Sequence, residues 1–109
     1  MKAQELIKIL SGAAPVADII IEYEGESRGL EDVSYPAGLL SPLPCYLIAA
    51  NEDSPLLTAK TLLYCLKCGT EGSSIFDIQN REVLVQSNFL VENIAEAYAD
   101  GDCFYIVLG

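Results

Sequence analysis

The first half of the chain changes from apolar residues at helical spacing to β-branched runs that are typical of strands. In order, the pattern predicts a helix, a strand, a turn and a second, less regular strand, at residues 2–10, 16–23, 24–27 and 29–35. Ser11-Gly12 follows the helix as a stop signal. Pro36, Gly38, Pro42 and Pro44 then predict a loop, because such a segment does not stay in one regular element for long.

The second half begins with a continuous apolar run at residues 45–50, a pattern that suits a strand buried on both faces of a parallel sheet. Ser54 and Pro55 then predict the start of a helix that ends at Gly69. Apolar residues within 90–98 favour another helix, capped by Ser87 or Asn88. Three further segments predict strands: 74–78, 82–85 and 103–108.

The order of these elements predicts an α/β fold in a single domain, residues 1–109, with a mostly parallel or mixed β-sheet flanked by about three helices. A repeated unit of one helix and three strands is the alternative. It rests on two internal sequence similarities: residues 30–33 resemble 91–94, and residues 44–48 resemble 102–106. The distance between equivalent residues drifts, and the middle strand of the second copy would be rich in alanine, so the single sheet is the preferred prediction.

Composition narrows the function. The chain has 109 residues, 51% of them hydrophobic, and a formal net charge of -10, which argues against disorder and against binding to nucleic acid or to an anionic membrane. It has no histidine, so a Ser-His-Asp triad and a His-ligated metal are excluded. The scattered glycines form no phosphate-binding loop. We therefore expect an acidic, cytoplasmic domain without a catalytic residue, metal or cofactor of its own. An acid/base enzyme that uses carboxylates and tyrosine is the open alternative, although no spacing singles out a pair.

Two clusters contain side chains of the types that bind metals, react with oxidants or recognise basic partners. Cys65 and Cys68 have the spacing of half a zinc site or of a redox pair, although buried free thiols on a helix are the simpler interpretation. Several acidic residues lie close together within residues 22–32. They are interpreted first as a solvated sheet edge; a mimic of nucleic-acid phosphates or a site for a hard cation is the alternative.

A third candidate follows the predicted buried strand. Asn51, Glu52 and Asp53 come between that strand and the next helix. The carboxyl end of a strand is the usual place for a ligand in an open α/β sheet. An ordinary capped turn explains the same residues.

With this order of elements, the chain resembles the N-terminal domain of Mur ligases, closest to the ligase that extends UDP-MurNAc-dipeptide with a diamino acid. Residues 40–42 and 45–49 stand where that family has V-x-P and a buried L-F-V-A strand, residues 83–85 and 91–98 match its later strand and helix, and residues 105–109 match the strand that enters its ATP loop. The family's D-S-R motif is replaced by Pro36-Ala37-Gly38. The resemblance implies a stand-alone or excised substrate-binding domain for a UDP-linked precursor of bacterial peptidoglycan. Its ligand-binding positions would be Ala37, Asn51, Glu52 and Asp53.

Residues 29–33 also resemble a G-L-x-x-x-V strand of two regulatory modules, the N-terminal domain of purine-catabolism (PucR-type) regulators and the DRTGG domain. This weaker resemblance implies a non-enzymatic module that senses a small molecule or binds a protein. The expected partners are thus a uridine nucleotide, a protein or a second copy of the chain, with no nucleic acid and no membrane.

Overall fold

The computed structural model of this protein describes residues 1–34, 44–51, 57–68, 81–87 and 90–109, and within them it contains two helices and six strands. In chain order these are α1 (Ala3–Leu10), β1 (Asp18–Tyr23), β2 (Glu26–Ser34), β3 (Cys45–Ala49), α2 (Ala59–Cys68), β4 (Val83–Ser87), β5 (Leu90–Asp100) and β6 (Cys103–Leu108).

The strands form a closed barrel in sequence order. Neighbouring strands pair antiparallel except at two places, where β3 pairs with β4 and β1 with β6 in parallel. The first parallel pair needs a crossover, which α2 lies within, and the second closes the barrel. Since closure leaves no unpaired edge, every strand has two partners.

The barrel consists of two copies of one unit, a helix followed by three strands. The first backbone N–H of each helix donates to a backbone carbonyl ahead of a strand of the other unit. Ala3 donates to the carbonyl of Arg81, two residues before β4, and Ala59 to that of Ala17, directly before β1, both at 2.9 Å. The strand registers agree as well, because the pairs Ile21↔Arg28 and Val85↔Glu92 occupy the same place in the two hairpins. The repeated unit, which was only the alternative prediction, therefore describes the fold.

The interior is apolar in both units. Leucines of α1 and α2 and inward residues of all six strands form one buried cluster. The helices pack against each other and begin beside the starts of β4 and β1, so they cover the end of the barrel at which β1, β3, β4 and β6 begin. The opposite end, where these four strands finish, holds the candidate site.

The predicted α/β fold is wrong, and the Mur-ligase-like α/β domain implied by the resemblance is wrong with it. The peptidoglycan role was implied through that fold and loses this support. The first helix and the strands at the positions of β1, β2, β3, β4 and β6 are confirmed within a few residues, and α2 matches the second predicted helix in part. The predicted strand 74–78, Ser54, Pro55 and Gly69 lie outside the described residues.

The largest error is the helix predicted at 90–98, which is strand β5. The register shifts between Ile94 and Glu96, so β5 has one extra residue against β6. Because of this bulge, the buried residues Ile94 and Ala97 are three positions apart, a spacing that a helix would also give. Alanine's high helix propensity strengthened the wrong prediction, and barrel pairing overrides it.

Across the described residues, no helix is long and apolar enough to cross a membrane.

Candidate functional site

A cavity of about 490 Å³ opens at the end of the barrel away from the helices. It is bounded by the ends of β1, β3, β4 and β6 and by the β1–β2 and β4–β5 hairpins. Its size falls within the range of roughly 300–1,000 Å³ that is typical of small-molecule sites. We call this feature the mouth.

The floor of the mouth is apolar and made by both units. It consists of Ile21, Val85, Ala49 and Leu108. Ile21 and Val85 are equivalent positions of β1 and β4, and Ala49 and Leu108 are equivalent positions of β3 and β6. The floor thus lies where the two units meet, across the axis that relates them.

The rim is polar and differs between the units. It includes three carboxylates, Glu24, Glu26 and Glu92, against one guanidinium, that of Arg28. Arg28 and Glu92 occupy equivalent positions of β2 and β5, so one unit places a cation where the other places an anion. The mouth therefore has a net negative rim above an apolar floor.

The turn between β1 and β2 places two of the rim carboxylates. Glu24 and Gly25, with φ of 49° and 82°, join β1 to β2 in a two-residue turn that matches the twist of the strands. The tight turn brings Glu24 and Glu26 to the mouth. The guanidinium of Arg28 approaches the Glu26 carboxylate at 3.5 Å, an exposed pair that contributes little to stability.

One side-chain contact joins the two units across the rim. The Tyr23 hydroxyl donates to Oε1 of Glu92 at 3.3 Å. The charges of Glu24 and then Glu92 raise the pKa of Tyr23 above its ordinary value of 10.0. The phenol therefore stays protonated at neutral pH, as a hydrogen-bond donor to the carboxylate.

Of the four predicted ligand-binding positions, the structure describes only Asn51. Asn51 is exposed beyond the end of β3 and does not line the cavity, whereas Ala49, two residues earlier, does. Ala37, Glu52 and Asp53 lie outside the described residues. Asn51, Glu52 and Asp53 were predicted from the carboxyl end of a strand in an open α/β sheet and Ala37 from the Mur-ligase resemblance, so a ligand at the three residues outside the described part stays a prediction.

The acidic segment of the sequence analysis contributes Glu24 and Glu26 to the rim. Leu90 and Glu92 went unrecognised because their segment was interpreted as a helix. The signal that would have found them is the internal repeat, aligned so that Leu30 matches Ile94. The sequence similarities matched Leu30 with Val91, three residues away from its structural equivalent Ile94. They matched Cys45 with Cys103, one residue away from its structural equivalent Phe104.

The predicted zinc or redox pair of Cys65 and Cys68 stays a prediction, because the side chain of Cys68 lies outside the described part of the structure. No group of three or more metal-ligating side chains occurs among the described residues. Cys45 and Cys103 are free thiols. Burial raises the pKa of Cys45 to about 12, against an opposing effect of the Arg81 guanidinium, so this thiol is a poor nucleophile and ligand.

Neither a protein-family model, nor a curated protein, nor a solved structure matches this chain.

Proposed function

We propose that this domain is a non-enzymatic binding module whose mouth takes a small organic cation with an apolar body. This develops the regulatory alternative of the sequence analysis, a module that senses a small molecule. The observation that carries it is the combination of an apolar floor with a rim of three carboxylates and one guanidinium in a cavity of about 490 Å³.

The chemistry of the rim favours binding over catalysis. A proton-transfer group works best when its pKa lies near the operating pH, and the neighbouring carboxylates move the pKa of Tyr23 away from neutrality. A bound ammonium or guanidinium group would instead be attracted by Glu24, Glu26 and Glu92, while an alkyl or aryl body covers Ile21 and Val85. Apolar burial would then supply the affinity, and the carboxylates would select the charge.

Binding of a UDP-linked precursor stays a prediction from the sequence alone. The net negative rim does not favour a diphosphate, because anion and carboxylates would repel each other. The cytoplasmic location belongs to the proposal too: the free thiols of Cys45 and Cys103 suit a reducing compartment.

Thermal unfolding with four probes tests the proposal: 4-phenylbutylamine, the neutral 4-phenylbutanol, the anionic 4-phenylbutyrate and UMP. A ligand at 100 times its Kd stabilises a protein by about 2.7 kcal/mol, a shift of several degrees in a domain of this size. We expect the amine to raise Tm more than the other three. Equal shifts for amine and alcohol, or a larger shift for UMP, contradict the proposal.

Two variants locate the binding. Ala49→Leu places in the floor the residue that the equivalent position Leu108 already carries, so the barrel accommodates it while the cavity shrinks. Glu92→Gln removes one rim charge. Both should weaken binding of the amine, whereas Glu5→Gln, the same change on the exposed first turn of α1, should leave it unchanged. If Ala49→Leu binds the amine as well as the parent does, the mouth is not the site.

A further inference from the structure

The outer surface of β1, β6 and β5 has an aromatic row between two acidic rows. Register and burial place side chains of these strands outside the barrel in three rows that cross the strands: Ile20–Tyr105–Tyr98, Glu22–Val107–Glu96 and Asp18–Cys103–Asp100. We call this surface the tyrosine face. It lies on the wall of the barrel, outside the mouth.

The aromatic row, Ile20–Tyr105–Tyr98, lies between the two acidic rows and is exposed enough for a partner to contact it. The rings of Tyr98 and Tyr105 stack with centroids 5.2 Å apart and an interplanar angle of 23°. Tyr98 is 38% exposed. The stack presents ring surface to solvent, and ring faces attract cations.

The tyrosine face has uniform charge. Its outer rows contribute the carboxylates of Asp18, Glu22, Glu96 and Asp100, and no basic residue lies in the three rows. Glu22 and Glu96 are close enough to raise the pKa of Tyr98, after the effect of its partial burial.

The other unit shows that the barrel does not require these residues. The row equivalent to Ile20–Tyr105–Tyr98 is Leu84–Tyr46–Ser34 on β4, β3 and β2. Ser34 is therefore the equivalent of the exposed Tyr98, and Gln86 is the equivalent of Glu22. The same strand pairing forms without either residue.

We propose that the tyrosine face binds a basic segment of another protein, with arginine or lysine side chains over the tyrosine stack and beside the flanking carboxylates. Cation–π contact and charge complementarity act at the same place in this arrangement. A second copy of the chain is disfavoured because it would set carboxylates against carboxylates, in a chain whose net charge is -10. The same repulsion disfavours a nucleic acid or an anionic membrane.

The test is an NMR titration of the isotopically labelled chain with an eight-residue peptide of alternating arginine and leucine. We expect the largest shifts at the backbone amides of Ile20, Tyr98 and Tyr105, and small shifts at Leu84 and Tyr46 on the equivalent face. The counterpart with glutamate in place of arginine should not bind. Shifts confined to the mouth, for example at Ser87 and Leu90, overturn the tyrosine face as the site and leave the proposed function standing.

Two variants replace a residue of the tyrosine face with the residue type found at its equivalent position in the other unit. Tyr98→Ser and Glu22→Gln should each weaken peptide binding about two- to five-fold, the effect of one exposed cation–π or charge contact, while Glu5→Gln should not. Unchanged affinity in both variants overturns the proposal. So does self-association in analytical ultracentrifugation that Tyr98→Ser abolishes, because the face would then bind a second copy.

Discussion

The strand assignment of residues 90–100 can be tested by comparing Ile94 with Val91. In β5, Ile94 is 6% exposed and belongs to the core, whereas Val91 is 50% exposed. A helix over 90–98 would instead place both on one face, three positions apart, and bury them together. The two structures therefore predict different costs for truncating the two residues to alanine.

The magnitude for Ile94→Ala follows from the buried carbons. The change removes three carbon atoms, worth about 0.8 kcal/mol each in transfer from water, and leaves a cavity as well, so we expect a loss of about 2–4 kcal/mol in the free energy of unfolding. Val91→Ala should change it by less than about 0.5 kcal/mol. For a domain whose total stability is roughly 5–15 kcal/mol, the first loss is large.

Urea denaturation followed by circular dichroism measures both variants. With an m-value of about 2 kcal/mol/M, Ile94→Ala should lower the midpoint by about 1–2 M and leave m unchanged. Ile94→Val is the matched control, with an expected cost of about 0.5–1.5 kcal/mol. Similar costs for Val91→Ala and Ile94→Ala would refute β5, and so would a loss below about 1 kcal/mol for Ile94→Ala.

Three further predictions concern the β1–β2 turn, a buried thiol and a rim tyrosine. Gly25→Ala should cost about 1–2 kcal/mol in urea denaturation, from backbone strain at φ 82°, since nothing lies within 4 Å of the added Cβ; Gly25→Asn should cost less, and equal costs would contradict the left-handed turn. Iodoacetamide at pH 8 should label Cys103 in the folded chain before Cys45, whose pKa is about 12; equal labelling rates by mass spectrometry would contradict its burial. Because the folded-state pKa of Tyr23 is raised, its contribution to stability is present below about pH 10 and falls as pH rises from there through the folded pKa. Tyr23→Phe should therefore lose less stability over that range than the parent does, and identical pH profiles would contradict the effect of Glu24 and Glu92.

Local pattern predicted most elements but not their arrangement. Runs such as residues 18–23 and 103–108 have one plausible structure, because β-branched and aromatic residues at that density favour strands. The pattern does not say which strands pair, and the parallel β1–β6 pair that closes the barrel joins residues at opposite ends of the chain. A buried strand of a parallel sheet and a strand of a small closed barrel have similar apolar runs, so residues 45–50 were compatible with both.

The bulges explain why the repeat was hard to recognise. In β2 the register shifts between Leu30 and Asp32, and in β5 between Ile94 and Glu96. Each bulge puts two inward residues three apart, Leu30 with Val33 and Ile94 with Ala97, and so breaks the two-residue alternation from which strands are identified. In the strands, equivalent inward residues share apolar character rather than identity. Cys45 is equivalent to Phe104, so comparing residue types misleads where comparing burial does not.

The two units separate what the barrel requires from what it does not. Equivalent inward positions are apolar in both units, as with Leu6 and Leu62, or Leu47 and Ile106, because every one of them must fill the same closed interior. Outward and rim positions are under no such constraint, and several differ: Tyr98 against Ser34, Glu22 against Gln86 and Arg28 against Glu92. At these positions the two units differ in charge and in aromatic surface, the properties that select a binding partner. The two proposed sites lie where an exposed position of one unit carries a charge or a ring that its equivalent lacks. A barrel with identical units would have two tyrosine faces and one mouth whose two halves are alike. This chain has one tyrosine face and a mouth whose halves differ in charge, and so offers a ligand or a partner a single orientation on each.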